Sequence, residues 1–283
     1  MTTGAHLRRQ WMVSGYRLLA TLVLTLLQMS FALGAEIGPL GQPSGSLNQQ
    51  AWSIPSSVPG LVMTVEVFRP EGAGPFLLAV INHGSEESSL TRKDQRLPRF
   101  SELTELLLRA GYVVALPLRP GHGATGGPYL ESQGPCGSPD YVGSGLGTAR
   151  SIAATVDFFQ QQSFVKSTGT LVVGNSAGGW GALAYASTQP KGLSGTINFA
   201  GGRGGRDKGR PNRNCAPQRL IEAAGLFGST SKVPSLWLYA ENDSYFAPDL
   251  SNKLAAAFEA SGGAVQFHLL DAMTIDGHGL IQA

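Results

Sequence analysis

Residues 172–183 read "VVGNSAGGWGAL". An apolar run precedes the glycines at 174, 178, 179 and 181, and apolar residues at helical spacing follow. The pattern predicts a strand over 170–174, a tight turn, and a helix over 177–188. Glycine weakens both kinds of element, so its concentration here signals a close approach of backbones. Gly174-Asn175-Ser176-Ala177-Gly178 is a G-x-S-x-G match at that junction. In a strand–turn–helix setting, the serine sits on a strained turn that lifts its hydroxyl above the sheet, and the helix N-terminus favours a developing oxyanion. A phosphate loop does not fit, because no Gly-Lys-Ser/Thr follows.

The rest of the chain repeats that alternation. Strand-like runs fall at 61–68, 76–82, 112–118, 195–199, 235–240 and 264–270. Helical spacing falls at 98–111, 144–162, 217–227 and 247–261. The reading is an α/β domain over 61–283, with a mostly parallel sheet covered by helices on both faces. Ligands in such sheets bind outside the carboxyl ends of the strands, so the loops that follow the strands should share one face. Residues 36–60, rich in Pro, Gly, Ser and Gln, read as an extended N-terminal lead-in.

A serine nucleophile needs a base, and the base needs an orienting carboxylate. Downstream of Ser176 stand two histidines. His268 lies within the apolar strand "VQFHLL", where a packed or edge-strand role fits it. His278, in "TIDGHGL", follows the last strand between glycines that let the imidazole reach over the sheet, so it is the expected base. Asp243 directly follows the strand in "LWLYAENDSYF" and is the expected acid, ahead of Glu241 and Asp249. The order Ser, acid, His is the one a hydrolase of this architecture requires. The amides of Ala177 and of the His83-Gly84-Ser85 loop, through Gly84 or Ser85, are the expected oxyanion donors. His83 and His122 read as structural.

Taken in order, "VINHGS" (80–85), "LPLRPGHGATGG" (116–127), "VVGNSAGG" (172–179), "LYAENDSYF" (238–246) and "DGHG" (276–279) resemble the α/β-hydrolase superfamily, and within it the dienelactone hydrolase-like branch. The resemblance spans roughly residues 60 to 280 and implies an ester-type hydrolase. Dienelactone hydrolases proper carry cysteine at the position of Ser176, so their lactone substrate is not implied. The expected activity is hydrolysis of carboxylic esters through an acyl-enzyme, with no metal or organic cofactor. A serine peptidase or amidase, and a non-catalytic binding protein on the same scaffold, are the alternatives.

Composition bounds the setting. The 283 residues are 42% hydrophobic and 14% charged, which excludes disorder and coiled coil. Residues 1–35 read as a signal peptide: Arg8, Arg9 and Arg17, then the apolar "LLATLVLTLL" (18–27), then the small-residue zone "SFALGA" (30–35). The apolar core is too short to span a bilayer, so the mature protein is expected to be periplasmic or secreted, without a stable membrane span. Loss of those three arginines takes the formal charge from +2 to 2 − 3 = −1, which removes the case for a nucleic-acid partner. The expected partner is a small-molecule ester.

In an exported protein, Cys136 and Cys215 are expected to form a disulfide, with free structural thiols the alternative. The segment "GGRGGRDKGRPNRNC" (201–215) carries five cations against one acid, a local charge of 5 − 1 = +4. It reads as a solvated loop or, through Arg203 or Arg206, as a recognition element for an acidic ester.

Overall fold

The computed structural model describes residues 36–86 and 88–282; the expected signal peptide lies outside them. Residues 37–283 form one compact unit. Its sheet has nine strands: β1 (Gly38–Ser44), β2 (Gln49–Pro55), β3 (Val62–Phe68), β4 (Leu77–Asn82), β5 (Tyr112–Pro117), β6 (Thr170–Asn175), β7 (Leu193–Phe199), β8 (Ser235–Ala240) and β9 (Val265–Leu270). Their order across the sheet is β1-β2-β3-β5-β4-β6-β7-β8-β9. The first three strands and β5 pair antiparallel, and from β5 to β9 every neighbour is parallel. The fold is the α/β-hydrolase fold.

Six α-helices accompany the sheet among the described residues: α1 (Ser89–Lys93), α2 (Ser101–Arg109), α3 (Tyr141–Phe159), α4 (Ala177–Ser187), α5 (Pro217–Thr230) and α6 (Pro248–Ala260). The parallel strands are apolar on both faces because both faces are covered. In β4, Leu78 and Val80 enter one core, and Ala79 and Ile81 the other. The larger core receives Ile152 and Phe159 of α3, Trp180 and Leu183 of α4, Phe227 of α5 and Phe258 of α6. The smaller receives Phe100 and Leu107 beside α2, and Ile281. Alternation at period two therefore sorts each strand's residues between two layers.

Residues 36–60 correct the sequence reading. They are extended, as expected, but they are not a free lead-in: β1 and β2 form a hairpin added to β3. Gln50 to Pro55 pair with Val67 to Val62, and Trp52 and Ile54 are buried. An alternation of Gln50, Trp52 and Ile54 was present in "QQAWSIP", masked by the polar and Pro-rich residues around it. The short α1 was also not expected, since a single helical turn leaves no periodicity to read.

Chain order places the site. From β4 the chain crosses to β5 on one side, and β6 lies on the other side of β4. The loops leaving β4 and β6 therefore diverge at the point where the winding reverses, which is where such sheets form a crevice. The first loop carries His83-Gly84-Ser85 and the second carries Ser176. Gly178 is what lets α4 descend into that crevice: a Cβ there would fall on the backbone carbonyls of Asn82 and His83. Gly178→Ala is therefore expected to lower the unfolding free energy by at least about 2 kcal/mol, through overpacking against backbone that cannot yield. Gly137→Ala, where a Cβ meets open space, should change it by less than about 0.5 kcal/mol. Denaturant melts of the two variants make the comparison.

Candidate active site

Ser176 joins β6 to α4 with φ 53° and ψ −119°. A non-glycine residue in that region is strained by roughly 1–3 kcal/mol, and the surroundings hold it there. Its amide donates to Phe199 O at 2.9 Å, while its carbonyl accepts from Trp180 N at 2.9 Å and Gly202 N at 3.2 Å. The side chain is half-buried and lines a cavity of about 350 Å³ with Ala177, Ser85, Tyr129, Arg203 and Phe246.

Asp243 and His278 meet across two loops. Asp243 is buried, and Oδ1 accepts from the amides of Tyr245 at 2.7 Å and Phe246 at 3.1 Å, so the turn after β8 fixes the carboxylate. His278 Nδ1 lies 3.1 Å from Asp243 Oδ1 and 3.2 Å from Oδ2. With Nδ1–H as donor, Nε2 is left as the basic nitrogen. The Tyr245 ring stacks on the imidazole with centroids 4.0 Å apart. Asn175 Nδ2 donates to His278 O at 3.2 Å, which ties the histidine loop to the residue beside Ser176. Among the described residues, the Ser176 hydroxyl and the His278 ring form no hydrogen bond. Glu241 is exposed, Asp249 pairs with Lys253 at 2.8 Å, and His268 stands exposed on the edge strand β9, so none of them joins this group.

The loop after β4 presents its amides for a simple reason: its carbonyls are engaged elsewhere. His83 O accepts from Arg119 Nη1 at 2.8 Å, and Gly84 O accepts from Gln95 Nε2 at 3.0 Å. A trans peptide points N–H opposite to C=O, so the Gly84 and Ser85 amides face away from those partners. A Cβ on Gly84 would come within 3.3 Å of Ser176 Cβ, which places this backbone directly against the serine.

The basic segment separates into two kinds of arginine. Arg203 is 8% exposed and points inward, where Nη2 pairs with Glu131 and lies 3.3 Å from Thr148 Oγ1, and Nη1 donates to Tyr129 Oη at 2.8 Å. Glu131, fully buried, also pairs with Arg119. Burial alone would raise the Glu131 carboxyl, but the two guanidiniums outweigh it and hold it far below the usual carboxylate range. Arg206 stays at the cavity wall, half-buried, donating to Gly209 O at 3.0 Å and lying over the Tyr245 ring; it has no carboxylate partner among the described residues. Sequence reading missed Glu131, Arg119 and Tyr129: Arg119 and Glu131 pair within the loop after β5, and Arg203 reaches Glu131 and Tyr129 from the loop after β7. Cys136 and Cys215 are bonded as a disulfide across 79 residues, joining the loop that carries Tyr129 and Glu131 to the one that carries Arg203. Closing a loop of that length removes roughly 4 kcal/mol of chain entropy from the unfolded state.

A parallel sheet with a strained serine at its winding reversal, flanked by a histidine–aspartate pair, is the arrangement of the α/β-hydrolase fold. Residues 138–274, just under half of the chain, match the dienelactone hydrolase family. No curated protein matches the sequence. The fold is similar to an esterase of Pyrococcus furiosus, Pf2001, at 15% identity over 84% of this chain and 90% of that one, with TM-score 0.57. It is similar to Est1E of Butyrivibrio proteoclasticus at 15% identity over 81% and 90%, with TM-score 0.51. It is also similar to the acylaminoacyl peptidase of Pyrococcus horikoshii at 15% identity, covering 82% of this chain but 38% of that one, with TM-score 0.60. The family match supports hydrolysis as the reaction class. No helix among the described residues is long and apolar enough to cross a membrane.

His83, in the loop after β4, and His122, in the loop after β5, are buried with rings 4.8 Å apart. Burial lowers both: His122 to about 4, against the opposing charge of Glu131, and His83 well below its ordinary value, with the charge of Arg119 adding to burial. Each is therefore neutral in the folded protein at a pH where the unfolded chain binds a proton. Unfolding takes up protons as pH falls through the ordinary histidine value near 6.5, so stability is complete above that point and declines toward pH 4. Denaturant unfolding followed from pH 7.5 to 4 should show this loss, and His122→Asn should flatten the slope within that window.

Proposed function

We propose that the protein is an exported serine hydrolase that cleaves carboxylic esters. The observation that carries the reading is the hydrogen bond between His278 Nδ1 and Asp243, made beside the strained Ser176 elbow. Ser176 Oγ attacks the ester carbonyl carbon while His278 Nε2 takes its proton. Asp243 fixes the ring tautomer and stabilises the imidazolium. The tetrahedral oxyanion is held by the amides of Ala177 and of Gly84 or Ser85. The intermediate collapses as the alkoxide leaves with the proton from His278. Water then repeats the sequence on the acyl-enzyme, releasing the acid and restoring Ser176. Resting enzymes often show this serine–histidine contact loosened, and it tightens when substrate binds. Export is supported by the N-terminal pattern of residues 1–35 and by the disulfide.

Ser176→Ala is expected to lower kcat on short-chain 4-nitrophenyl esters by roughly 10³-fold or more and to leave the circular dichroism spectrum unchanged. A fluorophosphonate probe should label wild type at Ser176 and not label the variant. Retained turnover in Ser176→Ala would defeat the reading. A panel of esters, amides and peptides separates the ester reading from the peptidase one.

A specific observation favours an acidic ester. Arg119 and Arg203 share the single carboxylate of Glu131, leaving one positive charge behind the cavity wall, and Arg206 adds another at the rim. Arg203 is held by its own partners and sets the field, so direct contact falls to Arg206. Arg206→Ala is expected to raise KM for an ester bearing a carboxylate by about 10-fold, the scale of one charge-assisted contact. KM for the matching neutral ester should stay within twofold; equal changes for both would sink the acidic-ester assignment.

A further inference from the structure

The cavity contains a second serine–histidine contact, and its proton arrangement can be worked out. Four side chains from three loops form one chain: Arg203 Nη1 to Tyr129 Oη at 2.8 Å, Tyr129 Oη to Ser85 Oγ at 3.0 Å, and Ser85 Oγ to His122 Nε2 at 2.9 Å. At its far end, His122 Nδ1 lies 3.2 Å from Arg119 O and 3.2 Å from Pro120 O. Two carbonyl oxygens can only accept, so Nδ1 carries the proton. His122 is buried between Arg119 and Arg203, with Glu131 and His83 nearby, and is neutral; Nε2 must then accept. Ser85 has one proton and gives it to His122, so the Tyr129 hydroxyl must donate to Ser85. Arginine can only donate, and Tyr129 Oη accepts from it. Every hydrogen along the chain points the same way, from Arg203 toward His122.

We infer that this directed chain is a positioning device for the oxyanion loop, and that Tyr129, the Ser85 hydroxyl and His122 are positioning residues for the reaction at Ser176. The inference rests on the hydrolase reading above. Ser85 borders the cavity, yet its hydroxyl proton is committed to His122 and its oxygen to Tyr129. The loop therefore offers the substrate its amides and not its hydroxyl. The engaged carbonyls of His83 and Gly84 fix the two peptide planes, and the side-chain contacts fix the end of the loop that carries the Ser85 amide. An aligned amide acts mainly when the carbonyl oxygen becomes charged, so loosening the loop should lower kcat and leave substrate binding nearly intact. The second pair is not a second nucleophile: burial opposes the imidazolium that would form if His122 took the proton from serine.

The test uses the mature protein with Tyr129→Phe, Ser85→Ala and the double variant, each removing hydroxyl atoms while keeping every backbone amide. On a neutral short-chain ester, each single variant should lower kcat by about 10-fold, less than the loss of a whole oxyanion donor, with KM within twofold. The double variant should be no slower than the slower single one, because the two hydroxyls act as one chain. The rate of fluorophosphonate labelling at Ser176 should fall in parallel, and the melting temperatures should stay near that of wild type. Unchanged kcat in both single variants, a change confined to KM, or losses that multiply in the double variant would overturn the inference. If wild type is labelled at Ser176 and Ser176→Ala is inactive while Tyr129→Phe is unaffected, the inference alone fails. If Ser176→Ala keeps its activity, the hydrolase reading fails and takes the inference with it.

Discussion

The structure depends on how closely α4 approaches the ends of β4 and β6. Gly174 and Gly178 stack backbone on backbone there, and Gly178 lies on the carbonyls of Asn82 and His83. That approach leaves the linking residue, Ser176, a single route between strand and helix, at φ 53°. A strained residue persists only where its neighbours over-determine it. Here the burial of α4, whose residues from Ala177 to Ala186 are all buried, supplies the offsetting free energy. The Ser176 hydroxyl is thus lifted by the packing of a helix whose own sequence has little amphipathic character, because both its sides are covered.

Around that elbow, one buried carboxylate organises the loops. Glu131 lies between Arg119, from the loop after β5, and Arg203, from the loop after β7. Burying three charges is costly, and such clusters need not add net stability. What this one does is fix geometry: Arg119 also holds the carbonyl of His83, and Arg203 holds Tyr129. The disulfide joins the same two loops covalently. Three crossover loops that would otherwise move independently are bound into one wall facing Ser176.

Much of this was legible in the sequence, and the limits have physical causes. The strands and helices from Val62 onward, α1 apart, announced themselves because a parallel sheet needs long apolar runs alternating with helices, and those runs are local signals. The meeting of Asp243 and His278 was legible for a related reason: one lies just after β8 and the other in the loop after β9, so the topology puts both on one face. The β1–β2 hairpin was obscured, since an outer antiparallel strand needs apolar residues on one face only, and Pro39, Gly41 and Pro43 suggested a loop. Glu131 and Tyr129 were invisible. They lie in a Gly- and Pro-rich loop with no periodicity, and their meaning comes from Arg203, 72 and 74 residues away. Even the basic segment misled in part, because a run of cations suggests a solvated face, yet Arg203 turns inward to a partner that composition cannot reveal.

The two histidines facing serines show what a motif leaves undecided. Both His122 and His278 have Nδ1 anchored by oxygen acceptors, and each belongs to a segment in contact with a serine-bearing loop. They differ in their surroundings. His278 is half-buried, and its anchor is a carboxylate, which stabilises the cation formed when it accepts a proton. His122 is buried, which opposes that cation by more than the nearby Glu131 favours it, and its anchor is a pair of backbone carbonyls. An acceptor that cannot become charged holds a hydroxyl in place without activating it. In the proposed reaction the same residue pair therefore serves as a base beside Ser176 and as a clamp beside Ser85, and burial together with the charge of the anchoring group separates the two roles.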